Sequence, residues 1–546
     1  MPYKASPLYN STTMKNISII VICILMVSGG FSQSYQIQWQ NCIGGSNTDK
    51  VMDMIDVDNG YLLAGYTESF DGDVSFNRGY HDCWLININE TGEIIWEKTY
   101  GGSGGDAIYK IFEALDGNYY LLCASSSSDG DISYDPYPES EDFWIVKVDS
   151  VGSILWEHIV GGSYGDKMWT GTATADGGIV AYGWTASNDG DISVYYGAYD
   201  TWMIKLSSKG EIEWDFTLGS PSMDSGQAII QTSDSGFLCG SSSTIIEGGN
   251  INCEPFNHNA EAVVVKLDKA RNIEWQRCLG GSDHDGTTAL HEMTDGYLVS
   301  AYAYSNDGDV SGWHGDVDIW VLKLDFDGNI IWQNCYGGSK AEMSNSFLPS
   351  PNGDFHIVGC TSSNDGDVSG NHTMSEYDYD IWLIHVSSEG ELLSQQCIGG
   401  RGDEQQWWGA IKKSEFSFVI ASETNWGPSY DVQCMPHGGL TDVDIWVFEI
   451  SDTTVQINEH AVQQEIINAY PNPAKDYVCF EYTGKQQLHS SQLTICNGQG
   501  AELNNPVIYN SGSKIVWDTR DVKPGVYFYT FIINGSGTTS KLVITK

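Results

Sequence analysis

Six tryptophans, Trp39, Trp96, Trp156, Trp214, Trp275 and Trp332, fall 57, 60, 58, 61 and 57 residues apart, and no other feature constrains the fold so tightly. A seventh register falls at Ser394, where the Trp is lost but the following QQCIGG matches the QNCIGG after Trp39. Repetition at such a period means one supersecondary unit stacked against its neighbours. Each copy carries GGSxxD, a DG-type turn (Asp58, Asp116, Asp176, Asp295), a polar loop, DxW and then the repeat Trp. The short apolar runs between these turns are strands, four to a copy, labelled a to d in chain order. Runs such as WIVKV and YLLAGY are apolar on both faces, as in a sheet packed between two others.

Four-stranded meanders repeated radially are propeller blades. The first copy opens with a lone strand d around Trp39, and the last ends with a lone strand c at 444–451. Bare strand edges are a liability, and pairing these two shuts the ring, whereas an open solenoid leaves both exposed. The expected fold is all-β: a seven-bladed β-propeller of four-stranded blades closed by the N-terminal strand, at 33–452. A linker at 453–468 and a small C-terminal β-sandwich at 469–546 follow.

Lys and Arg total 26 against 72 Asp and Glu, and the net charge of −46 cannot neutralise a phosphate backbone, so nucleic acid is excluded as a partner. Charged residues are only 18% of the chain and aromatics 12%, which separates it from a disordered acidic tail. Lys4 and Lys15 precede an apolar run at 17–27, and Gly29, Gly30 and Ser32 follow. This reads as a secretory signal peptide over 1–32, with Met14 as an alternative start. The run is too short to span a bilayer and none as long follows, so no transmembrane segment is expected after signal removal.

The C-terminal region carries Tyr470-Pro471-Asn472-Pro473, a Gly-ended turn at 497–500, Gly525-Val526-Tyr527-Phe528 and a last strand ending at Lys546. On these residues it resembles the type A C-terminal sorting domain of the type IX secretion system of Bacteroidota. LTICNGQG departs mildly from that family's middle motif. The propeller copies resemble repeats common in secreted proteins of the same bacteria. The resemblance implies type IX machinery as a partner and a secreted or outer-membrane surface location after Sec export.

In a meander blade the d–a and b–c connections share one face. There GGSxxD supplies an acid to every copy: Asp49, Asp106, Asp166, Asp224, Asp285, Glu342 and Glu404. Strand a is innermost, so these seven are expected to ring one mouth of the channel, or to accept the amides of their own loop. Asp82, Asp142, Asp200, Glu261, Asp318, Asp380 and Asp444 open strand c. The b–c loop holds DGD in five copies: Asp71/Asp73, Asp129/Asp131, Asp189/Asp191, Asp307/Asp309 and Asp365/Asp367. The fourth copy has EGGN and the seventh nothing recognisable. Such pairs are candidate Ca²⁺ ligands, since that ion takes six to eight oxygens, and they are equally turn formers.

Repetition does not account for Trp169, Trp184, Trp313, Trp407, Trp408 and Trp426, which makes them candidate ligand aromatics or gap fillers. Cys42, Cys278, Cys335 and Cys397 share one strand d register in separate blades and read as small core residues, because equivalent ring positions lie too far apart to bridge. Cys253 and Cys434 are the disulfide candidates. DFDGNIIW at 325–332 fails the spacing of a sialidase Asp box, and no nucleophile or metal-protease motif occurs. The chain reads as an exported binding or adhesion module for a glycan or protein. The alternative is a secreted carbohydrate-active hydrolase with a carboxylate pair on the acidic face.

Overall fold

The computed structural model describes residues 35–546 apart from 139, 245–247, 257–258, 374, 376–377, 406–408, 415, 440–441, 453–466, 471–473, 483–490, 498–502, 504–507, 512–513, 521, 534–535 and 546. The expected signal peptide lies outside the described residues. Two compact units, 1–455 and 456–546, divide the chain.

In the first unit, blade 2 shows the pattern: Asp106–Glu113 (a), Tyr119–Ser125 (b), Asp142–Val148 (c) and Ile154–Val160 (d) form one antiparallel meander. Blades 1, 3, 4, 5 and 6 repeat it over 49–100, 166–218, 224–279, 285–336 and 342–398. Blade 7 takes Ala410–Ser414, Ser417–Thr424 and Asp444–Asp452 from the end of the unit and Tyr35–Ile43, as strand d, from its start. Each strand a touches the strand a of the next blade, and Ala410–Ser414 touches both Glu342–Pro349 and Asp49–Val57. Seven sheets therefore close a ring, sealed by the N-terminal strand.

Strand c is the buried centre of each sheet, and in DFWIVKV and DTWMIKL every residue is buried. Trp84, Trp144, Trp202, Trp320, Trp382 and Trp446 sit there almost without exposure. A buried indole needs an acceptor for its N–H. The residue after each strand d register supplies it: Glu97 (2.8 Å), Glu157 (2.9 Å), Asp215 (3.3 Å), Gln333 (2.7 Å), Gln395 (2.8 Å) and Gln40 (3.0 Å). The repeat Trp of strand d leans on the c–d turn of the next blade. A Cβ on Gly328 would strike the Trp275 ring, and that turn holds φ +78°. In blade 4 the same place is taken by Arg271 at φ 66°, with its guanidinium 4.6 Å from the Trp214 ring.

Two cysteines depart from expectation. Cys42 and Cys278 are not free core residues: Cys42 is bonded to Cys434 and Cys278 to Cys253, with Cα–Cα distances of 5.6 and 5.5 Å. Equivalent ring positions indeed do not bridge each other. The b–c loop of the same blade, however, folds back over strand d and brings its own cysteine there. Cys335 and Cys397 stay free and buried.

In the second unit, Ile467–Tyr470, Tyr477–Tyr482, Lys514–Asp518 and Ile508–Ser511 form one sheet, and Ser491–Asn497, Gly525–Ile533 and Ser536–Ile544 another. Val478, Phe480 and Trp517 from the first share a core with Ile495, Tyr527, Tyr529 and Leu542 from the second, which makes a β-sandwich.

Candidate functional site on the loop face of the propeller

The DGD loops fold onto the GGS loops of their own blades. The first Asp accepts the Ser amide through Oδ1: Ser46 to Asp71 (2.8 Å), Ser103 to Asp129 (2.6 Å), Ser163 to Asp189 (2.8 Å), Ser282 to Asp307 (2.7 Å) and Ser339 to Asp365 (2.7 Å). The second accepts the first Gly amide: Gly44 to Asp73, Gly101 to Asp131 and Gly161 to Asp191 (3.2 Å each), and Gly337 to Asp367 (3.4 Å). Asp309 is held by the Gly280 amide in the same way. These are amide latches. The amides of GGS account for these carboxylates as turn and latch formers, and among the described residues no three His, Cys, Asp or Glu side chains converge there.

The acids that open strand a do not line an open mouth. All seven are at 0% exposure. Each accepts the second amide of its loop, as with Gly45 to Asp49 (2.6 Å), Gly102 to Asp106 (2.8 Å), Gly162 to Asp166 (2.7 Å), Ser220 to Asp224 (2.7 Å), Gly281 to Asp285 (2.8 Å), Gly338 to Glu342 (2.8 Å) and Gly400 to Glu404 (2.9 Å). Glu404 lies ahead of the described strand Ala410–Ser414. Hydroxyls from strand b and the loop beyond complete the shell, as Ser125 and Ser127 do for Asp106.

The strand c acids face them across the blade seams at 0–1% exposure. A Cβ on Gly44 would lie 2.7 Å from Asp444 Oδ1 and 2.8 Å from Asp49 Oδ2; one on Gly337 would lie 2.8 Å from Asp318 Oδ1 and 2.5 Å from Glu342 Oε2. Burial pushes Asp49, Asp82 and Asp224 up to about 6, Glu342 to about 7 and Asp142 and Glu404 to about 8, and the carboxyl across the seam adds to each. One loop residue clasps many of these seams. Arg78 gives its amide to Asp82 (2.8 Å) and its guanidinium to Asp131. His314 sits 2.8 Å from Asp318 and 3.8 Å from Asp367, and His437 sits 2.9 Å from Asp444 and 3.6 Å from Asp73. His372 is 2.8 Å from Asp380, and that hydrogen bond raises its pKa.

Among the described residues the off-repeat aromatics do not converge through ring contacts. The a–b pairing skips one residue at the same offset in six blades, and Tyr109 and Trp169 are the skipped residues of blades 2 and 3. They pack edge to face at 5.4 Å, with Lys167 Nζ 4.8 Å from the Trp169 ring. Trp184 packs on Tyr199 at 4.7 Å. Trp313 donates to the Asp316 carbonyl at 3.2 Å, and Trp426 is 39% exposed. Trp407 and Trp408 lie outside the described residues. The fixed offset of Trp169 from Asp166 is the sequence signal that marks a bulge residue.

Of the degenerate copies, blade 4 keeps half a latch, and blade 7 keeps both bonds with the Ser429 hydroxyl in place of the first Asp, accepting the Arg401 amide at 3.1 Å. In blade 4 Asn250 accepts the Gly219 amide at 2.9 Å, and in blade 7 Asp431 accepts the Gly399 amide at 3.2 Å. Blade 7 is therefore not without a counterpart of DGD: Ser429-Tyr430-Asp431 stands in its place. Tyr430 holds φ 49° where the five intact loops carry a left-handed Gly, and it is 54% exposed. It borders a cleft of about 430 Å³ lined also by Gln36, Gln38, Trp39, Gln40, Gln396, Asp431 and Gln433. A second, more apolar cleft of about 420 Å³ on blades 5 and 6 is lined by His284, Tyr302, Tyr304, Val317 and Met343.

Residues 468–545 match the family described as Secretion system C-terminal sorting domain. The chain ends in a type IX sorting domain. A chain so marked is exported, to be secreted or displayed at the cell surface. A comparison with curated proteins found no match. Solved structures similar to the chain include a protein of unknown function from Bacteroides caccae (14% identity, 62% of this chain and 94% of that one, TM-score 0.35). Drosophila Plexin A in complex with Semaphorin 1b is 8% identical over 77% and 88%, with a TM-score of 0.39, and puromycin hydrolase 10% over 69% and 50%, at 0.37. At TM-scores below 0.5 these likenesses carry no argument.

Within the sorting domain, Tyr470 ends its strand opposite Cys479, while Pro471, Asn472, Pro473 and Lys546 lie outside the described residues. Ala474, next after that motif, bridges to Ile544, and its carbonyl accepts the Thr545 amide at 2.7 Å. Gly525 opens the strand that carries Tyr527, whose ring is in the core and whose hydroxyl donates to the Lys523 carbonyl at 2.8 Å. The first and last signature segments thus meet in one sandwich. Among the described residues no helix is long and apolar enough to cross a membrane.

Proposed function

We propose that the exported propeller is a binding module for carbohydrate, an adhesion device rather than an enzyme, with its ligand seated in the blade 7 cleft. One observation carries this reading: where the repeat breaks, Tyr430 replaces a turn glycine at φ 49° and stands exposed beside a row of glutamines. A left-handed non-glycine residue costs roughly 1–2 kcal/mol, and such strain collects at ligand sites. Glutamine amides both donate and accept, which suits vicinal hydroxyls, and the exposed Tyr430 ring suits a pyranose. Gln36, Gln38 and Gln433 are exposed, and Gln38, Gln40, Gln396 and Gln433 each donate a side-chain N–H to a backbone carbonyl. The fourteen seam acids are sealed from solvent, which disfavours their use as a catalytic pair.

A glycan array on the full chain, followed by a hydrolysis screen on each hit, tests this. We expect binding without turnover. Tyr430→Gly is expected to weaken binding about tenfold while raising Tm, because it relaxes the backbone and removes the platform. Tyr304→Ala, in the other cleft, should leave binding unchanged. Turnover abolished by a single Asp or Glu change, or binding indifferent to Tyr430→Gly, would overturn the reading.

A further inference from the structure

The seam carboxyls pose a problem that hydrogen bonding within the chain leaves unsolved. Six strand c to strand a pairs are involved: Asp444/Asp49, Asp82/Asp106, Asp142/Asp166, Asp200/Asp224, Asp318/Glu342 and Asp380/Glu404. In each, the strand a residue donates its amide to the carbonyl just before the facing acid, as Asp166 does to Glu141 at 2.7 Å and Glu404 to Tyr379 at 2.7 Å. The two backbones are therefore pinned together, which keeps the two carboxyls at one seam. Oδ1 of Asp82, Asp142, Asp200, Asp318, Asp380 and Asp444 is buried without a donor among the described residues. Two ionised carboxylates held this way repel in a medium of low dielectric, and each orphaned oxygen adds a desolvation cost.

One proton per pair removes both penalties, because a protonated carboxyl is a donor and its neighbour an acceptor. We propose that each of these seams holds a shared proton between its two acids, so that the propeller ring is clamped by carboxyl–carboxylate hydrogen bonds that acid strengthens and base releases. The proton comes from solvent and returns to it. Asp142 and Asp166 show the arrangement most plainly, since their carboxyls are within hydrogen-bonding reach of one another. Asp135 and the Ser140 hydroxyl face Asp142 from the loop before it, and Tyr137 of that loop lies between Asp142 and the next blade's Asp189 and Asp191. The nearby cations Lys167 and His158 face Glu141 and Asp191 instead. At Asp318, Asp380 and Asp444 the clasping His314, His372 and His437 hold the other carboxylate oxygen, and at Asp82 the Arg78 amide does. Those side chains leave Oδ1, the oxygen toward the seam, unaddressed.

The direction with pH follows from linkage. The folded pKa of these acids lies above the value of the unfolded chain, 3.8 for Asp, and reaches about 8 at Asp142. Between those limits the folded chain binds more protons, so stability falls as pH rises through the window. Solvent-facing carboxylates titrate below it and do not contribute. His372 and His437, both raised, add a change of the same sign, so histidine must be told apart from carboxyl.

Thermal melts of the full chain from pH 5 to 9 should show Tm falling as pH rises. Infrared difference spectra at pH 7 should contain the carbonyl band of buried protonated carboxyls, which histidine cannot produce. Asp142→Asn supplies a permanent N–H toward Asp166, and it is expected to flatten the Tm profile and to exceed the wild type at pH 9. A Tm that is level or rises with pH, no carboxylic acid band at pH 7, or an Asn variant shifted equally at every pH would each overturn the proposal. Should that variant not fold, Asp200→Asn at another seam and the wild-type spectrum decide it.

Discussion

In blades 1, 2, 3, 5 and 6 the b–c loop is tied down by two aspartates that accept amides of the GGS loop, whereas in blade 4 the first of these acceptors is gone and in blade 7 the Ser429 hydroxyl takes its place on the Arg401 amide. In both, a disulfide also ties the loop to strand d. The two solutions differ in what they leave free. An aspartate latch specifies the loop residue by residue, with Gly in the left-handed position and Asp on either side. A disulfide adds one covalent point to the loop; blade 4 keeps a left-handed Gly249 beside it, and it is in blade 7 that Tyr430 occupies the glycine position and a glutamine-lined cleft opens. Blade 7 is also the blade sewn from both ends of the unit, so its staple does two tasks.

The sharpest test of the contrast is the pair of disulfides themselves. Cys42–Cys434 spans 392 residues and Cys253–Cys278 only 25, so loop entropy assigns about 6 kcal/mol to the first and about 3.5 kcal/mol to the second. Cys42→Ser is expected to lower Tm more than Cys253→Ser, measured by calorimetry on oxidised protein. Equal shifts would mean that the closing strand is held by its ladder alone. Next in size is the buried acid at the base of the latch. Asp106→Ala strands the Gly102 amide and two serine hydroxyls and should cost about 3 kcal/mol in a urea melt. Asp224→Ala, behind the Cys253–Cys278 bond, should cost less if the staple carries part of that load. An equal cost would break the comparison.

The ring was legible because each blade repeats the same chemistry, and a Trp or Asp recurring seven times reports a fold-level need. Its closure followed from two unpartnered strands, and the sorting domain from spaced motifs that pack into one sandwich. The site was much less legible, because the informative residues are those that leave the repeat. Ser429-Tyr430-Asp431 shares only its last residue with DGD, so its register is visible only in the Arg401 and Gly399 amides it accepts. Cys42 and Cys278 passed for core residues because sequence spacing shows which blade a strand belongs to, but not that a loop returns over it. Exposure of the strand a acids was equally invisible: a repeated offset after GG is the same string whether the carboxylate faces the channel or the seam.

The smallest expected effects concern the intact latches. Asp307 accepts a single solvent-exposed amide, from Ser282, so Asp307→Ala should cost about 1 kcal/mol, well below the buried Asp106. The same geometry makes a chelator test decisive between latch and metal site. If the loops were calcium sites, removal of the ion would cost binding energy at five blades together and Tm would fall and recover on adding Ca²⁺. With the carboxylates already answering the amides of GGS, EDTA should leave Tm unchanged in the same melt that registers Asp307→Ala. A chelator effect confined to blades 1, 2, 3, 5 and 6, read by hydrogen exchange of the GGS amides, would show that the five intact loops differ from the stapled two by an ion as well as by a hydrogen bond.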